Sequence, residues 1–216
     1  MKCHKITAHL KSGLVISDPW SPSIDSILAY FQIKKDIGTT DFNISTAMGE
    51  QTTCGTLPME KTFYKDLWWY QCSIPEYDCQ HEIKRQLYKK FNVEYARMIE
   101  KKVKNIELKK NQFKNYSLFF MQCLVSEISW HVVCDINKVR ELLEGCKQIG
   151  AERGKGMGLV DNWSFKDGEI KNATLNRFIP KKYAEENNIK GLKIFRGFRP
   201  SFRIRENQAI CVLKKD

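Results

Sequence analysis

Four glycines fall within nine residues in Gly150-Ala-Glu-Arg-Gly-Lys-Gly-Met-Gly158, between a stretch with helical spacing and a stretch that reads as a strand. Glycine permits positive φ and close approach of backbone to a neighbour, so this run has to be a tight connection. It fixes the local order as helix, loop, strand. Before it, Val139, Leu142, Leu143 and Cys146 recur at helical spacing after Asp135, a residue suited to cap a helix N-terminus. After it, Met157–Phe165 is expected to be a strand. The order also decides against two nucleotide-binding motifs. A Walker loop has four residues between glycine and Gly-Lys, then Ser or Thr, and runs from strand into helix. Here three residues intervene, Gly156 follows, and the direction is reversed. The dinucleotide fingerprint fails for the same reason.

Upstream, Leu118–Val125 and Ile128–Cys134 read as two strands separated by Ser126-Glu127. Lys5–Lys11 alternates with period two and gives a first strand. Ser21 with Pro22 is expected to open a helix whose apolar face is Ile24, Ile27, Leu28 and Phe31. Residues 36–60 lack periodicity and form a long connection. Leu67–Ile74 is strand-like, and 80–110 is either helical or a strongly twisted strand pair. Beyond the Asp167-Gly168 turn, Ala173–Ile179 and Ala209–Leu213 are expected as short strands around a basic connector. The order is βαβ, a basic insertion, βαβ, then a tail. It predicts an α+β, ferredoxin-like (RRM-like) sheet with helices on one face.

The 216 residues carry 36 Lys and Arg against 25 Asp and Glu, a net charge of +11. A polyanionic partner is the expectation from that balance. Most of the excess lies between 83 and 115, where eleven basic residues meet only Glu94, Glu100 and Glu107, a local net of +8. Lys101, Lys102, Lys104, Lys109, Lys110 and Lys114 are its densest part. Such a cluster binds phosphates by releasing counterions. Tyr88, Phe91, Tyr95, Phe113 and Tyr116 are interleaved, as anchors to the core or as stacking platforms. In the tail, Arg196, Arg199 and Arg203 offer planar, bidentate phosphate contacts. Arg196-Gly-Phe-Arg199 imitates an RRM motif, but Pro200 breaks the strand that motif requires. In the loop, Arg153 and Lys155 supply charge beside Gly154, Gly156 and Gly158, whose amides could meet phosphate oxygens.

Eight cysteines are scattered along the chain and read as reduced thiols of a cytoplasmic protein, not a disulfide framework. Cys72, Cys79 and His81 are the nearest approach to a zinc pattern, and their spacing does not suit one. No metal or other cofactor is expected. Residues 1–16 do not read as a secretory leader, and no apolar run is long enough for a spanning helix. His4, His9, His81 and His131 are the acid–base candidates. No paired carboxylate or triad accompanies any of them in sequence, so no catalytic residue is assigned.

The run Trp130–Trp163, with His-Val-Val-Cys-Asp135, Leu142-Leu143-x-x-Cys146-Lys-x-Ile149-Gly150 and Arg153-Gly-Lys-Gly-Met-Gly-Leu-Val160, resembles the glycine-rich segment of RAMP proteins from CRISPR systems. More narrowly, it is similar to the Cas-five-type subunit of type IV effector complexes. Ile6-Thr-Ala-His-Leu-Lys-Ser12, Asp18-Pro, and Ile24-Asp25-x-x-Leu28-Ala-Tyr30 resemble that subunit's opening strand and helix. Phe113-Lys-x-Tyr116 resembles the end of its insertion, and Arg177-x-Ile-Pro180 with Gly197-Phe-Arg-Pro200 and Ala209-Ile-Cys211 its closing motifs. Where the family closes on Pro-Pro-Tyr-Trp, this chain has Pro200-Ser-Phe202.

The resemblance implies a single RAMP module over 1–216. Its parts are a first half at 1–80, a basic insertion or thumb at 81–116, a strand-helix-loop-strand unit at 117–168 and a C-terminal extension at 169–216. It implies a non-catalytic subunit that binds the repeat-derived 5′ handle of guide RNA (crRNA) beside backbone and large subunits. Two other readings stay open. One is a metal-independent crRNA-processing endoribonuclease using His9. The other is a basic assembly protein that contacts acidic protein partners.

Overall fold

The structure is a computed structural model and describes residues 1–38, 55–92, 94, 108–109, 113–202 and 204–214. Its centre is β1 (Lys2–Leu10), held between β7 (Glu127–Cys134) and β8 (Val160–Asp167) and antiparallel to both. β7 and β8 are therefore parallel, and α2 (Ile136–Glu144) carries the chain from one to the other. Beyond β7, the segment around 71–76 continues the ladder irregularly. Cys72 bridges to Val132 and Glu76 to Ser129, and Ser73 donates to the His131 carbonyl.

Strand alternation decides which side is covered. Ile6 and Ala8 of β1 and Ile128, Trp130 and Val132 of β7 point to one face. There they meet Leu28 and Ala29 of α1 (Ile24–Ile37) and Val139, Leu142 and Leu143 of α2. Fully burying side chains of this size stabilises by about 1.5–3 kcal/mol each. Asp135 accepts from the amides of Asn137 and Lys138, capping α2 as its sequence position predicts. Gly38, at φ 70°, closes α1 by donating to the Lys34 carbonyl. The cap of α1 is Ser23 and not Ser21, because the helix opens at Ile24 and the Pro22 carbonyl is committed to Trp130 Nε1 at 3.0 Å.

A second sheet is built from β9 (Ile179–Pro180), β10 (Gly191–Gly197) and β11 (Gln208–Lys214), in the order β10-β11-β9. With the hairpin β3 (Lys61–Tyr64) and β4 (Leu67–Tyr70) it encloses Trp69, Phe178, Phe198 and Cys211. Two expectations for this region need correction. Ala173–Ile179 is not a strand: Ile170–Leu175 forms the short helix α3, which buries Ala173 against Cys3 and Val133. The basic connector before β11 is itself a strand, β10, preceded by α4 (Lys181–Glu186). Among the described residues the chain is thus α+β, with several small antiparallel sheets. No described helix is long and apolar enough to cross a membrane.

The third sheet places the basic region. β5 (His81–Lys89) and β6 (Tyr116–Leu124) pair along their whole length, from His81 opposite Leu124 to Lys89 opposite Tyr116. The 80–110 stretch therefore opens as a strand. The short β2 (Leu14–Val15) pairs with the base of β6.

Candidate nucleic-acid interface

The paired register sorts the β5–β6 hairpin into two faces. On one lie Ile83, Arg85, Leu87 and Lys89 with Tyr116, Leu118, Phe120 and Gln122. On the other lie Glu82, Lys84, Gln86 and Tyr88 with Ser117, Phe119, Met121 and Cys123. Aromatic and basic groups are interleaved on both. Lys84 Nζ is 4.8 Å from the Phe119 ring centre, and Lys89 Nζ is 6.0 Å from that of Tyr116. Tyr88 is 72% exposed and Phe119 53%. Large rings open to solvent beside cations form a surface on which unpaired bases can stack while phosphates meet the charges.

The glycine-rich loop is stitched to the base of this hairpin. Ala151 donates to the Val15 carbonyl at 2.7 Å, Gly158 to the Gly13 carbonyl at 3.0 Å, and Leu159 to Ser12 Oγ at 2.9 Å. Gly13 in turn packs on Gln122, which holds Arg85 Nε at 2.8 Å. The loop's glycines divide into two pairs. Gly150 and Gly158 have positive φ, and a Cβ on either would run into backbone, the Val15 carbonyl for the first and Ile149 for the second. Gly154 and Gly156 face open space, although Gly156 also has a positive φ of 78°.

The loop's charges are partly committed. Lys155 pairs with Glu152, yet its Nζ also lies 5.6 Å from the Phe120 ring centre, across the loop-to-hairpin gap. Arg153 sits 5.9 Å over Tyr30 of α1. The amides of Lys155, Gly156 and Gly158 already donate to the carbonyls of Glu152, Arg153 and Gly13. Those three amides are spent inside the protein, so neither Gly156 nor Gly158 offers its amide to a phosphate.

The remaining predicted RNA contacts lie apart. Lys101, Lys102, Lys104 and Lys110 of the arm and Arg203 of the tail lie outside the described residues. Lys109 and Lys114 are exposed near the far end of the hairpin, where Phe91 and Phe113 meet edge to face at 5.2 Å. In the tail, Arg199 bonds Asn207 and lies 4.8 Å over Trp68, with burial working against its charge. Arg196 ends β10 with its guanidinium 4.1 Å from the Phe178 ring centre and 5.3 Å from that of Trp20. Burial lowers its pKa also. Neither tail arginine joins the hairpin surface.

Two clusters bear on other chemistry. His9 Nε2 is 2.9 Å from Ser164 Oγ, and its Nδ1 is 3.6 Å from Glu127 Oε2. The three residues come from β1, β8 and β7, so only the fold reveals this trio. Lys11 beside it is occupied by Asp161 at 2.6 Å, an ion pair that lowers the Asp161 pKa. Cys79, Glu82 and Cys123 place ligand atoms within 4.8 Å of one another and could hold a metal ion. Their thiols lie 2.6 Å apart, closer than two sulfurs each bound to one zinc at ~2.3 Å in tetrahedral geometry, so they would have to separate. Burial also raises the Cys123 thiol to about 12, which opposes the thiolate a metal requires. Sequence spacing did not expose the set, because Cys123 joins it from the partner strand. The seven described cysteines are free.

The comparisons with known proteins agree with the motif reading. No curated protein matches the chain. The family model described as CRISPR type IV associated protein Csf3 matches residues 73–213, from the irregular ladder beyond β7 to the end of β11. That span holds the hairpin, the glycine-rich loop and the tail sheet, and it accords with a Cas-five-type subunit of type IV systems. The chain belongs to the Csf3 family of CRISPR type IV associated proteins.

Proposed function

We propose that this chain is a non-catalytic guide-RNA-binding subunit of a type IV CRISPR effector ribonucleoprotein. It holds the repeat-derived 5′ handle and stands beside the backbone and large subunits in the cytoplasm. The observation that carries this reading is the junction of loop and hairpin, where Lys155 reaches over Phe120 next to the exposed, basic and aromatic β5–β6 ribbon. Of the +8 between 83 and 115, Lys84, Arg85 and Lys89 lie on β5 itself and the rest follows in sequence between the two strands, so handle RNA meets charge and aromatic surface together. Family membership supplies the CRISPR context.

The same reading takes the central sheet as ferredoxin-like. The ladder order β8-β1-β7, with the 71–76 segment beyond β7, supports a four-stranded sheet joined by two crossovers through α1 and α2. Residues 81–116 are then the thumb of one RAMP module, and 169–216 its C-terminal extension.

The endoribonuclease alternative draws on one observation, the His9–Ser164–Glu127 trio. Cleavage through a 2′-hydroxyl needs a base and also an acid for the leaving oxygen. Lys11, two residues along from His9, is tied to Asp161. The test is to incubate the protein with repeat RNA in EDTA and analyse both binding and product ends. Bound, intact RNA supports the subunit reading. Products with 2′,3′-cyclic phosphate that disappear in His9→Ala would replace it with the nuclease. No binding to RNA would leave the basic assembly protein.

A further inference from the structure

Away from the hairpin, the turn after β2 and the end of β10 enclose a cleft of about 460 Å³, lined by Ser17, Asp18, Trp20, Ser26, Arg196 and Phe202. That volume is in the range of sites for small organic ligands. It shares Trp20, Ser23, Arg196, Gly197 and Phe202 with a neighbouring recess of about 30 Å³ where Asp25 and Arg177 are buried. From the structure we infer that this cleft receives a single unpaired nucleotide of the bound RNA. The inference rests on the guide-RNA reading and adds a second, separate contact to it.

Three observations select a nucleotide. Aromatic surface comes from Trp20 and Phe202, which lie 182 positions apart in the chain and both line the cleft. The Arg196 guanidinium lies over aromatic rings and forms a long ion pair with Asp18 at 3.9 Å, while its side chain donates no hydrogen bond to protein among the described residues. Its donors are free for a phosphate or a base carbonyl. In the recess, Arg177 is 5% exposed; its two terminal nitrogens bond Phe198 and Cys72, and its Nε has no partner. A buried donor without an acceptor is costly, and a ligand carbonyl reaching inward would satisfy it.

The polarity is mixed, and that decides between classes of ligand. Asp18 stands at the mouth and Asp25 in the recess, so an acidic peptide or a bare anion would meet carboxylates of its own sign. Hydroxyls are arranged as mutually bonded pairs, Ser17 with Ser21 at 3.2 Å and Ser23 with Ser26 at 2.7 Å. A nucleobase edge offers donors and acceptors together, which suits carboxylate, guanidinium and hydroxyl at once. The position also suits. Ser17 lies two residues beyond Val15, the residue that binds the glycine loop, a backbone path of at most ~7 Å.

The experiment uses single-stranded RNAs of repeat sequence, each with one photoreactive thiouridine, cross-linked to the full chain and mapped by mass spectrometry. One RNA position is expected to label a peptide containing Trp20 or Phe202. Ser26→Phe, which fills the cleft, should abolish that adduct while adducts on the hairpin persist. Arg196→Gln keeps the packing and removes the charge, and should lower that adduct's yield about tenfold. RNA bound at full affinity with all adducts confined to hairpin and loop would overturn the inference and leave the guide-RNA reading intact. Adducts in the cleft unchanged by both folded variants would also overturn it. No RNA binding at all would remove both readings.

Discussion

Lys155 Nζ lies 5.6 Å from the centre of the Phe120 ring, which brings the glycine-rich loop over one face of the β5–β6 hairpin. The two residues are 35 positions apart in sequence, and hydrogen bonds from Ala151 and Gly158 to the β2 region hold the arrangement. If RNA crosses this junction, the double change Arg153→Ala/Lys155→Ala should lower RNA affinity tenfold or more, since charge-assisted contacts contribute about 1.5–3 kcal/mol each. Thermal unfolding should change by less than about 0.5 kcal/mol, because the Lys155–Glu152 pair is local and partly solvated. Fluorescence anisotropy with repeat RNA and a melt on the same samples check both.

On the other face of the hairpin, Tyr88 and Phe119 contribute little to the core at 72% and 53% exposure. Tyr88→Ala and Phe119→Ala should each weaken RNA binding by about 1–3 kcal/mol if a base stacks there. Calorimetric titration measures the loss, and unchanged melting separates it from misfolding.

The two kinds of loop glycine predict opposite stability outcomes. Gly158→Ala should be strongly destabilising, because φ is 65° and the new Cβ would clash with the Ile149 backbone. Gly154→Ala meets open space and should be tolerated within about 0.5 kcal/mol. Urea unfolding of the two variants tests the contrast.

Much of the central sheet is legible in sequence because its cues are local. Asp135 caps α2, and the alternation around Ser126-Glu127 marks β6 and β7. β10 escapes notice because Gly191–Gly197 lacks a clean apolar alternation: Ile194 shares its face with Arg196, and Leu192 and Phe195 are exposed. α3 escapes because six residues are too few to establish a helical period, and Ala173 is buried by tertiary contact with Cys3 and Val133. The glycine loop was legible as a connection. The bonds from Ala151 to Val15 and from Gly158 to Gly13 were not, since they join the loop to a segment far away in sequence. The same applies to Arg196, whose partners Trp20 and Phe178 come from different sheets and turns.

Asp25 gives a pH signature. Burial raises its pKa, and the attraction of Arg177 opposes that only in part. A carboxyl with a folded pKa above its unfolded value of about 4 binds protons more tightly when folded. Its contribution is therefore fully present below pH 4 and is lost as pH rises through the raised folded pKa. Asp25→Asn should flatten that fall in stability with rising pH. Denaturant unfolding at a series of pH values compares the slopes.

The central claim is that a concentrated positive surface holds guide RNA, and the salt dependence of binding to single-stranded repeat RNA tests it most directly. With +8 in the 83–115 region, several phosphates are neutralised together. Affinity should fall roughly 10²–10⁴-fold between about 50 and 200 mM salt, linearly in logarithmic coordinates. An affinity that stays flat over the same range would contradict an electrostatic RNA interface on this protein.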